Sequence, residues 1–342
     1  MELQITWFVL WGVLWAVYFM LDGFVLGAGM LMNVIARNDA EKRVVINTFG
    51  PVWDGNEVWL ITAGGATFAA FPTTYALMFS YLYSALLILL FALIVRGVSF
   101  EFRGKMDNLG WKKGWDMAIL LGSLLPALLF GVAFGNIFAG LPMDAAGYHG
   151  SLIGLLNPYG LLTGLLFVGL FLQHGALYLS VKTTDELKER AEGIAKKLWP
   201  ALLVIAVVFL AATAAATSLY DNYFARPELW AVPLLAALEL IVVRIMVGRG
   251  KLLKAFAASC ATILLVVATA IVGLFPNLIP SSLDPAASLT IFNSSSSQYT
   301  LTIMTVVALV MVPIIIAYKI WTYRIFRAPV TVEEVTADDH AY

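Results

Sequence analysis

Nine long apolar runs constrain this chain more than any other feature of its sequence. A helix that crosses the hydrocarbon core of a bilayer needs about 20 mostly apolar residues. Lipid satisfies no backbone hydrogen bond, and runs of this length are too long for barrel strands, so each run is predicted to be a helix. The predicted spans are residues 7–32, 52–71, 75–95, 116–139, 159–181, 199–219, 229–247, 255–275 and 300–323. We therefore expect an all-α polytopic membrane protein with a single membrane domain over residues 1–328.

The composition excludes several classes of protein. Hydrophobic residues make up 61% of the 342 residues, charged residues only 13%, and the mean hydropathy is +0.87. A soluble protein has about 45–50% apolar and about 25% charged residues, so a soluble domain, a nucleic-acid binder and a disordered protein are all excluded. The formal net charge of −1 gives no overall field that would steer an ionic partner.

Basic residues predict the orientation of the helices. All but one of the 21 lysines and arginines fall in alternate loops or after the last span, namely Arg37, Lys42, Arg43, Arg96, Arg103, Lys105, Lys112, Lys113, Lys182, Lys188, Arg190, Lys196, Lys197, Arg244, Arg249, Lys251, Lys254, Lys319, Arg324 and Arg327. Only Arg226 lies in a loop of the other set. Cytoplasmic loops carry the excess of basic residues, so the N-terminus is predicted outside and the C-terminus in the cytoplasm. The polar, acidic tail 329–342 is predicted to be disordered.

Ionisable residues within the predicted spans are candidate functional groups, because each costs about 3 kcal/mol or more in hydrocarbon. Asp22 is predicted in the inner third of the first span. Asp54 and Glu57 lie at the cytoplasmic start of the second span, and their spacing of three puts them on one helix face. The alternative is that these two acids only cap a helix N-terminus, where the helix dipole favours anions.

Four further residues are weaker candidates. Asp116 opens the fourth span on the inner side, where a plain interfacial cap is the favoured interpretation. His174 lies in the inner third of the fifth span, as a packed or a relay histidine. Glu239 lies near the middle of the seventh span, five residues before Arg244. A structural ion pair or a snorkelling arginine explains these two residues as well as a function does.

The histidines and the cysteine predict no metal site and no paired haem ligands in this chain. His149 lies in an outer loop, His174 in the membrane and His340 in the tail, so bis-histidine ligation within the bundle is not available. Cys260 has no second cysteine with which to form a disulfide or a thiolate metal site. A single axial haem ligand at His174 is the open alternative.

The candidate groups are unevenly distributed across the predicted membrane. All of them except Glu239 project to the cytoplasmic half, and none projects to the outer half. A complete ion or substrate pathway needs polar groups over the full depth, so the chain is predicted to hold the inner half of a route. Carboxylates and a histidine suit a proton relay because buried groups of these types exchange protons.

Several motifs resemble subunit II of the cytochrome bd-type quinol oxidases. The most specific is the block W-D-G-N-E-V-W, which begins at Trp53. The others are the D-G-F motif at Asp22, the G-V-A-F-G-N motif at Gly131, the L-N-P-Y-G motif at Leu156 and the outer loop from Phe275 to Gln298. The resemblance covers essentially the whole chain. It departs from the family at Val25, where members often carry a second acid, and Glu239 and Arg244 match no family motif.

The resemblance implies two four-helix bundles plus one further helix, which agrees with nine spans. It implies a haem-free subunit of an oxidase that oxidises quinol, reduces oxygen to water and builds a proton gradient. Subunit I is implied to carry two b-type haems, haem d and the quinol site, and some members hold a structural quinone in subunit II. Asp54 and Asp22 are implied in a cytoplasmic proton route, and Trp59 is implied near a lateral oxygen entrance.

We therefore predict that the chain scaffolds subunit I in a heterodimer of the prokaryotic cell membrane. It is predicted to line a proton-uptake route with Asp54, Asp22 and Glu57, and to hold no catalytic residue and no metal ligand. A small accessory subunit is a further candidate partner. The rival hypotheses are a proton-coupled secondary transporter, which needs substrate groups at the midplane, and a purely structural membrane subunit.

Overall fold

The computed structural model describes residues 1–337, and these residues are predominantly helical. In chain order, the helices α1 to α13 are Glu2–Ile35, Asp39–Phe49, Trp53–Ala70, Pro72–Tyr81, Tyr83–Phe102, Leu109–Ala139, Pro158–Lys182, Asp185–Ala216, Asp221–Ala225, Ala231–Gly248, Leu252–Leu274, Gln298–Ile325 and Val332–Ala337. Four short strands β1 to β4, in the loops at one end of the bundle, are Met143–Asp144, Gly147–Tyr148, Asn277–Ile279 and Leu289–Thr290. They form two antiparallel pairs, β1 with β2 and β3 with β4.

Eight helices among residues 1–337 are long and apolar enough to cross a membrane: α1, α5, α6, α7, α8, α10, α11 and α12. The predicted second span is helical as α3, but it is not among these eight. Asp54, Asn56 and Glu57 in its first two turns lower its hydropathy. The predicted count of nine spans and the predicted orientation therefore stay predictions.

Several helices extend beyond the apolar runs from which they were predicted. Residues 75–95, predicted as one span, form α4 and α5 with a break at Leu82, and α5 continues to Phe102. The assignment of Arg96 to a loop was therefore wrong. The helix α8 begins at Asp185, well before the predicted start at residue 199, and α2 lies within the predicted first loop. Hydropathy marks only the apolar part of a helix, whereas Lys, Arg and Glu are themselves good helix formers.

The helix α1 lies at the centre of the fold, against α3, α6, α7 and α11. Its backbone touches that of α7 at Gly27 and Gly175, where a Cβ on Gly27 would lie 2.9 Å from the Gly175 Cα. Phe19 of α1 packs edge-on against Phe130 and Phe167, with ring centroids 5.5 and 5.0 Å away. Small residues at the contact and aromatic rings around it hold α1, α6 and α7 in fixed register, as is typical of membrane helices.

The tryptophans at the start of α1 face the protein interior. Trp7, Trp11 and Trp15 are each less than a tenth exposed. The indole N–H of Trp11 donates to Thr67 Oγ1 at 3.0 Å, which joins α1 to α3. The i, i+4 spacing of these residues therefore marks the buried face of the helix.

The segment after Pro329 differs from the predicted disorder. The Val330 N–H donates to the Lys182 carbonyl at 2.9 Å, residues Val332–Ala337 form α13, and Val335 is buried. Val335 belongs to the same apolar cluster as Val44 of α2. The prediction of disorder failed because a few apolar side chains are enough to order a polar segment when they pack against a surface that is already folded. Composition alone does not show whether such a surface is nearby. Residues 338–342, including His340, lie outside the described residues.

Candidate functional site

A buried cluster of one guanidinium and two carboxylates joins α1, α3 and α5. The Arg96 Nη2 atom lies 3.1 Å from both carboxylate oxygens of Asp22, and it also donates to Glu57 Oε1. The Tyr18 hydroxyl donates to Asp22 Oδ2 at 3.1 Å from one turn earlier on α1. The Asp22 and Arg96 side chains are fully buried, whereas that of Glu57 is 22% exposed. The cluster is thus closed at Asp22 and open at Glu57.

The charges of this cluster do not balance when both acids are ionised. One guanidinium faces Asp22 and Glu57, so one negative charge is left over. The Arg96 Nε and Nη1 atoms are also buried and have no hydrogen-bond partner among residues 1–337. An uncompensated buried charge is costly, and a proton taken up by either carboxylate removes it. The arrangement therefore suits a group of residues that stores and passes on one proton.

Asp54 lies in the first turn of α3, at the exposed mouth of the cluster. Its side chain is exposed, and its Oδ1 atom accepts a hydrogen bond from the Gly55 N–H. The Lys319 ammonium of α12 lies directly over Gly55, where a Cβ would collide with it. The glycine after the acid thus lets α12 bring a cation close to the start of α3. Asp54 and Glu57 both lie in the first two turns of α3.

Asn56 connects three helices beside this cluster. Its side-chain amide donates to the Leu21 carbonyl of α1 at 2.8 Å, and its Oδ1 atom accepts from the Tyr323 hydroxyl of α12 at 2.9 Å. Asn56 is fully buried, so both halves of the amide need partners, and both have them. This bridge holds α3 against α1 at the residue that precedes Asp22.

Asp116 is not a helix cap. The helix α6 begins at Leu109, capped by Asn108, so Asp116 falls in the interior of the helix. Its carboxylate is buried and forms ion pairs with Lys42 Nζ at 2.8 Å and Arg103 Nε at 2.6 Å. The interpretation as an interfacial cap was wrong, because α6 extends two turns before the apolar run. Asp116 instead joins α6 to α2 and to Arg103 in the turn that follows α5.

His174 of α7 is held on both sides of its ring. Nε2 lies 3.0 Å from the Met20 carbonyl, and Nδ1 lies 2.6 Å from Ser259 Oγ. The ring stacks on Phe256 with a centroid distance of 4.8 Å. Because a carbonyl only accepts, Nε2 carries a proton in this arrangement. Both ring nitrogens are engaged, so the geometry is that of a packed histidine and leaves no nitrogen free for a haem iron.

The remaining predicted residues lie apart from the cluster. Glu239 is half-buried and makes no ion pair with Arg244 in the described part of the chain. The Arg244 guanidinium instead lies over the Trp199 ring, 5.9 Å from its centroid. Trp59 is only 9% exposed and belongs to the apolar cluster around α1. The structure thus brings together Asp22, Glu57 and the neighbouring Asp54, and no other predicted site residue.

Sequence reasoning missed Arg96 and Tyr18. Arg96 was assigned to a cytoplasmic loop because it follows the apolar run 75–95. A signal was present, since apolar residues resume after it at Val98 and Phe100, both on the continuing helix. Tyr18 precedes Asp22 by four residues, the spacing that brings two helical side chains together. Within residues 1–337, no group of three or more His, Cys, Asp or Glu side chains is placed to hold a metal ion.

The comparisons with known proteins agree with the resemblance. The family model of cytochrome bd terminal oxidase subunit II matches residues 3–326. Cytochrome bd-I ubiquinol oxidase subunit 2 of Escherichia coli (strain K12) is 37% identical, over 99% of this chain and 98% of that protein. Cytochrome bd ubiquinol oxidase subunit 2 of Bacillus subtilis (strain 168) is 39% identical, over 97% of this chain and 98% of that protein.

A solved structure shows the same fold. The structure of bd oxidase from Geobacillus thermodenitrificans matches with a TM-score of 0.79, over 95% of this chain and 99% of that chain. Its sequence identity of 19% makes this a likeness of fold alone. The family match and the identity to curated relatives, by contrast, extend over nearly the whole sequence. This chain therefore belongs to the cytochrome bd terminal oxidase subunit II family.

Proposed function

We propose that this chain lines a proton-uptake route of its oxidase with Asp54, Glu57 and Asp22, and that Arg96 holds the route in place. The chain is a multi-pass subunit of a bd-type quinol oxidase in the prokaryotic cell membrane. Reduction of oxygen to water consumes protons. A subunit of such an enzyme that buries an excess of carboxylates over cations is suited to supply them.

The observation that carries the proposal is the gradient of exposure along the three acids. Asp54 is exposed, the Glu57 side chain is 22% exposed and Asp22 is fully buried. A proton collected at Asp54 reaches Glu57 on the same helix, and the shared contact with Arg96 then links Glu57 to Asp22. Arg96 keeps the acids within reach of each other, while the imbalance of charge leaves one of them ready to take the proton.

Asparagine variants test this route because they keep the shape of the side chain and remove its ability to carry a proton. We expect D54N and D22N to lower quinol-driven oxygen consumption about tenfold, which corresponds to about 1.4 kcal/mol in the barrier. D107N is the matched control, because the Asp107 side chain is fully exposed and its ion pair with Lys112 lies outside the cluster. Full activity of both D54N and D22N in assembled enzyme would exclude the relay.

A purely structural role is the second candidate, because an arginine that joins three helices also stabilises their packing. Under this alternative, D22N prevents assembly with subunit I, and any complex that does form turns over at the normal rate. Haem absorption of the purified complex, measured beside oxygen consumption, separates the two roles. Because the chain belongs to the oxidase family, we set aside the hypothesis of a proton-coupled secondary transporter.

We further propose that the haems of the complex, two b-type and one d-type, are held by subunit I, which also oxidises the quinol. His174 fits this assignment because both of its ring nitrogens are engaged. We propose Trp59 as the wall of an oxygen entrance, since it is nearly buried and belongs to the apolar cluster around α1. A structural quinone in this chain and a small accessory subunit stay proposals by family resemblance.

A further inference from the structure

We infer that this chain binds an anionic phospholipid beside the first half of α1, with the phosphate on Arg226 and one acyl chain in an apolar groove. The groove lies between α1, α11 and the connection that contains α9. It shares no lining residue with the Asp22 cluster, so it serves a purpose other than proton transfer.

The groove has the volume and length of a site for one lipid chain. Its volume is about 660 Å³, within the range of about 300–1,000 Å³ that is typical of ligand sites. Along α1 it runs from Phe8 to Val17, about 14 Å at the helical rise of about 1.5 Å per residue. One leaflet is half of a hydrocarbon core of about 30 Å. The groove therefore matches the depth of a single leaflet.

Within the described residues 1–337, the mouth of the groove carries one free cation, Arg226. Asn222 and Arg226 are the only polar side chains among its lining residues, all of which lie in the described part of the chain. The Asn222 amide is already committed, since it donates to the carbonyls of Val272, Gly273 and Phe275 at 3.0, 3.1 and 2.6 Å. These bonds fix the connection to the end of α11. The Arg226 side chain is exposed and makes no ion pair or hydrogen bond with residues 1–337.

Aromatic residues place Arg226 at the level of the lipid headgroups. Tyr220, Tyr223, Phe224 and Trp230 pack on one another, with centroid distances between 5.2 and 6.4 Å. Tyrosine and tryptophan concentrate at the boundary between membrane and water. Arg226 lies in the same short connection. Its guanidinium therefore lies where phosphates lie, and the groove below it extends into the hydrocarbon.

The charge of the groove selects the class of ligand. A neutral quinone offers a guanidinium only an uncharged carbonyl acceptor, whereas a phosphodiester accepts two parallel, charge-assisted hydrogen bonds from one. Among residues 1–337, no acidic side chain lines the groove to compete for Arg226. The groove walls are otherwise apolar, so the chemistry is that of a phosphate attached to a hydrocarbon chain. An anionic phospholipid combines these two features.

Native mass spectrometry of the purified, delipidated oxidase complex, titrated with phosphatidylglycerol, tests this site. We expect R226Q to weaken retention of the lipid about fivefold, equivalent to about 1 kcal/mol for one basic residue at a membrane surface. R226K keeps the charge and is expected to retain most of the binding. A268F fills the groove without any change of charge and is expected to lower retention as well. R249Q removes an exposed arginine outside the groove and is the matched control.

Three results would overturn the inference. The first is equal retention of phosphatidylglycerol by R226Q and R249Q. The second is displacement of the lipid by inorganic phosphate at equal concentration, because the acyl chain then contributes nothing. The third is a neutral quinone that occupies the groove with no dependence on Arg226, since that identifies a hydrocarbon slot without a headgroup site.

Discussion

Replacement of Arg96 by methionine removes the cation that contacts the carboxylates of Asp22 and Glu57. Methionine fills a similar volume and keeps the packing of α5 against α6, where the stem of Arg96 lies against Gly122. The variant R96M therefore isolates the charge. Asp22 is left fully buried with the Tyr18 hydroxyl as its remaining partner, whereas Glu57 retains some contact with water. The consequences for stability and for turnover are separable.

The magnitude follows from the geometry. At a separation of about 3 Å and an effective dielectric constant of about 20, one ion pair contributes about 5 kcal/mol of attraction. Measured losses are smaller, about 3–5 kcal/mol, because the variant no longer has to desolvate the guanidinium. We expect R96M to lower the free energy of unfolding of the complex by an amount in that range. The double variant R96M/D22L, which leaves no fully buried charge in the cluster, is expected to recover most of the loss.

Denaturation of the purified complex in sodium dodecyl sulfate measures the stability, and quinol-driven oxygen consumption measures turnover. R249M is the control, because Arg249 is exposed and has no ion pair within residues 1–337. We expect the double variant to be stable but slow, since it lacks the buried proton carrier. If R96M is as stable as R249M, the buried ion pair does not exist as described. If R96M/D22L is stable and turns over normally, the cluster is not part of the route.

The close helix contact and the ion pairs of Asp39 give two further predictions. G27A places a Cβ against the Phe171 carbonyl of α7, so we expect a loss of about 1–3 kcal/mol in thermal or detergent denaturation. G64A on α3 meets no atom within 4 Å and is expected to be neutral; equal losses in both would refute the contact. Burial raises the pKa of Asp39, but hydrogen bonds from cations, Arg103 first, outweigh it and hold that pKa below its usual range. This carboxylate therefore stabilises the fold above the unfolded value of about 3.9 and loses that effect as the pH falls through the lower folded value. D39N should flatten the acid limb of stability against pH below about 4, and an unchanged limb would contradict this.

Much of the architecture was predictable because the bilayer leaves few choices. Apolar runs of sufficient length must be helices, and eight of the nine predicted spans correspond to helices that are long and apolar enough to cross. The break at Leu82 was not predictable, and the extension of α5 past Arg96 was indicated only by the apolar residues Val98 and Phe100 that follow it. Hydropathy reports which residues tolerate lipid, and it does not report where a helix stops once polar residues find partners inside the protein.

The site was predictable in part for a similar reason. Asp22, Asp54 and Glu57 could be recognised from the sequence because an ionised acid in hydrocarbon costs free energy and usually has a function there. Arg96 did not stand out, because an arginine at the end of an apolar run is ordinarily a loop residue. Asp116 was wrongly assigned to a helix cap for the same reason, because it stands at one end of an apolar run. An ion pair between helices joins residues that are far apart in sequence, such as Asp22 and Arg96, and no local pattern marks it.

The sequence by itself determined that this chain is a bundle of membrane helices from a bd-type oxidase, since composition, run length and the W-D-G-N motif are all local properties. Only the tertiary structure decided that a single guanidinium holds two acids, that Asp116 is an ion-paired interior residue, and that α13 docks on α2. These outcomes depend on which helices approach each other. Close approach depends in turn on backbone contacts, such as that of Gly27 with Gly175. Such a contact exists only in the folded protein, because the two glycines belong to different helices.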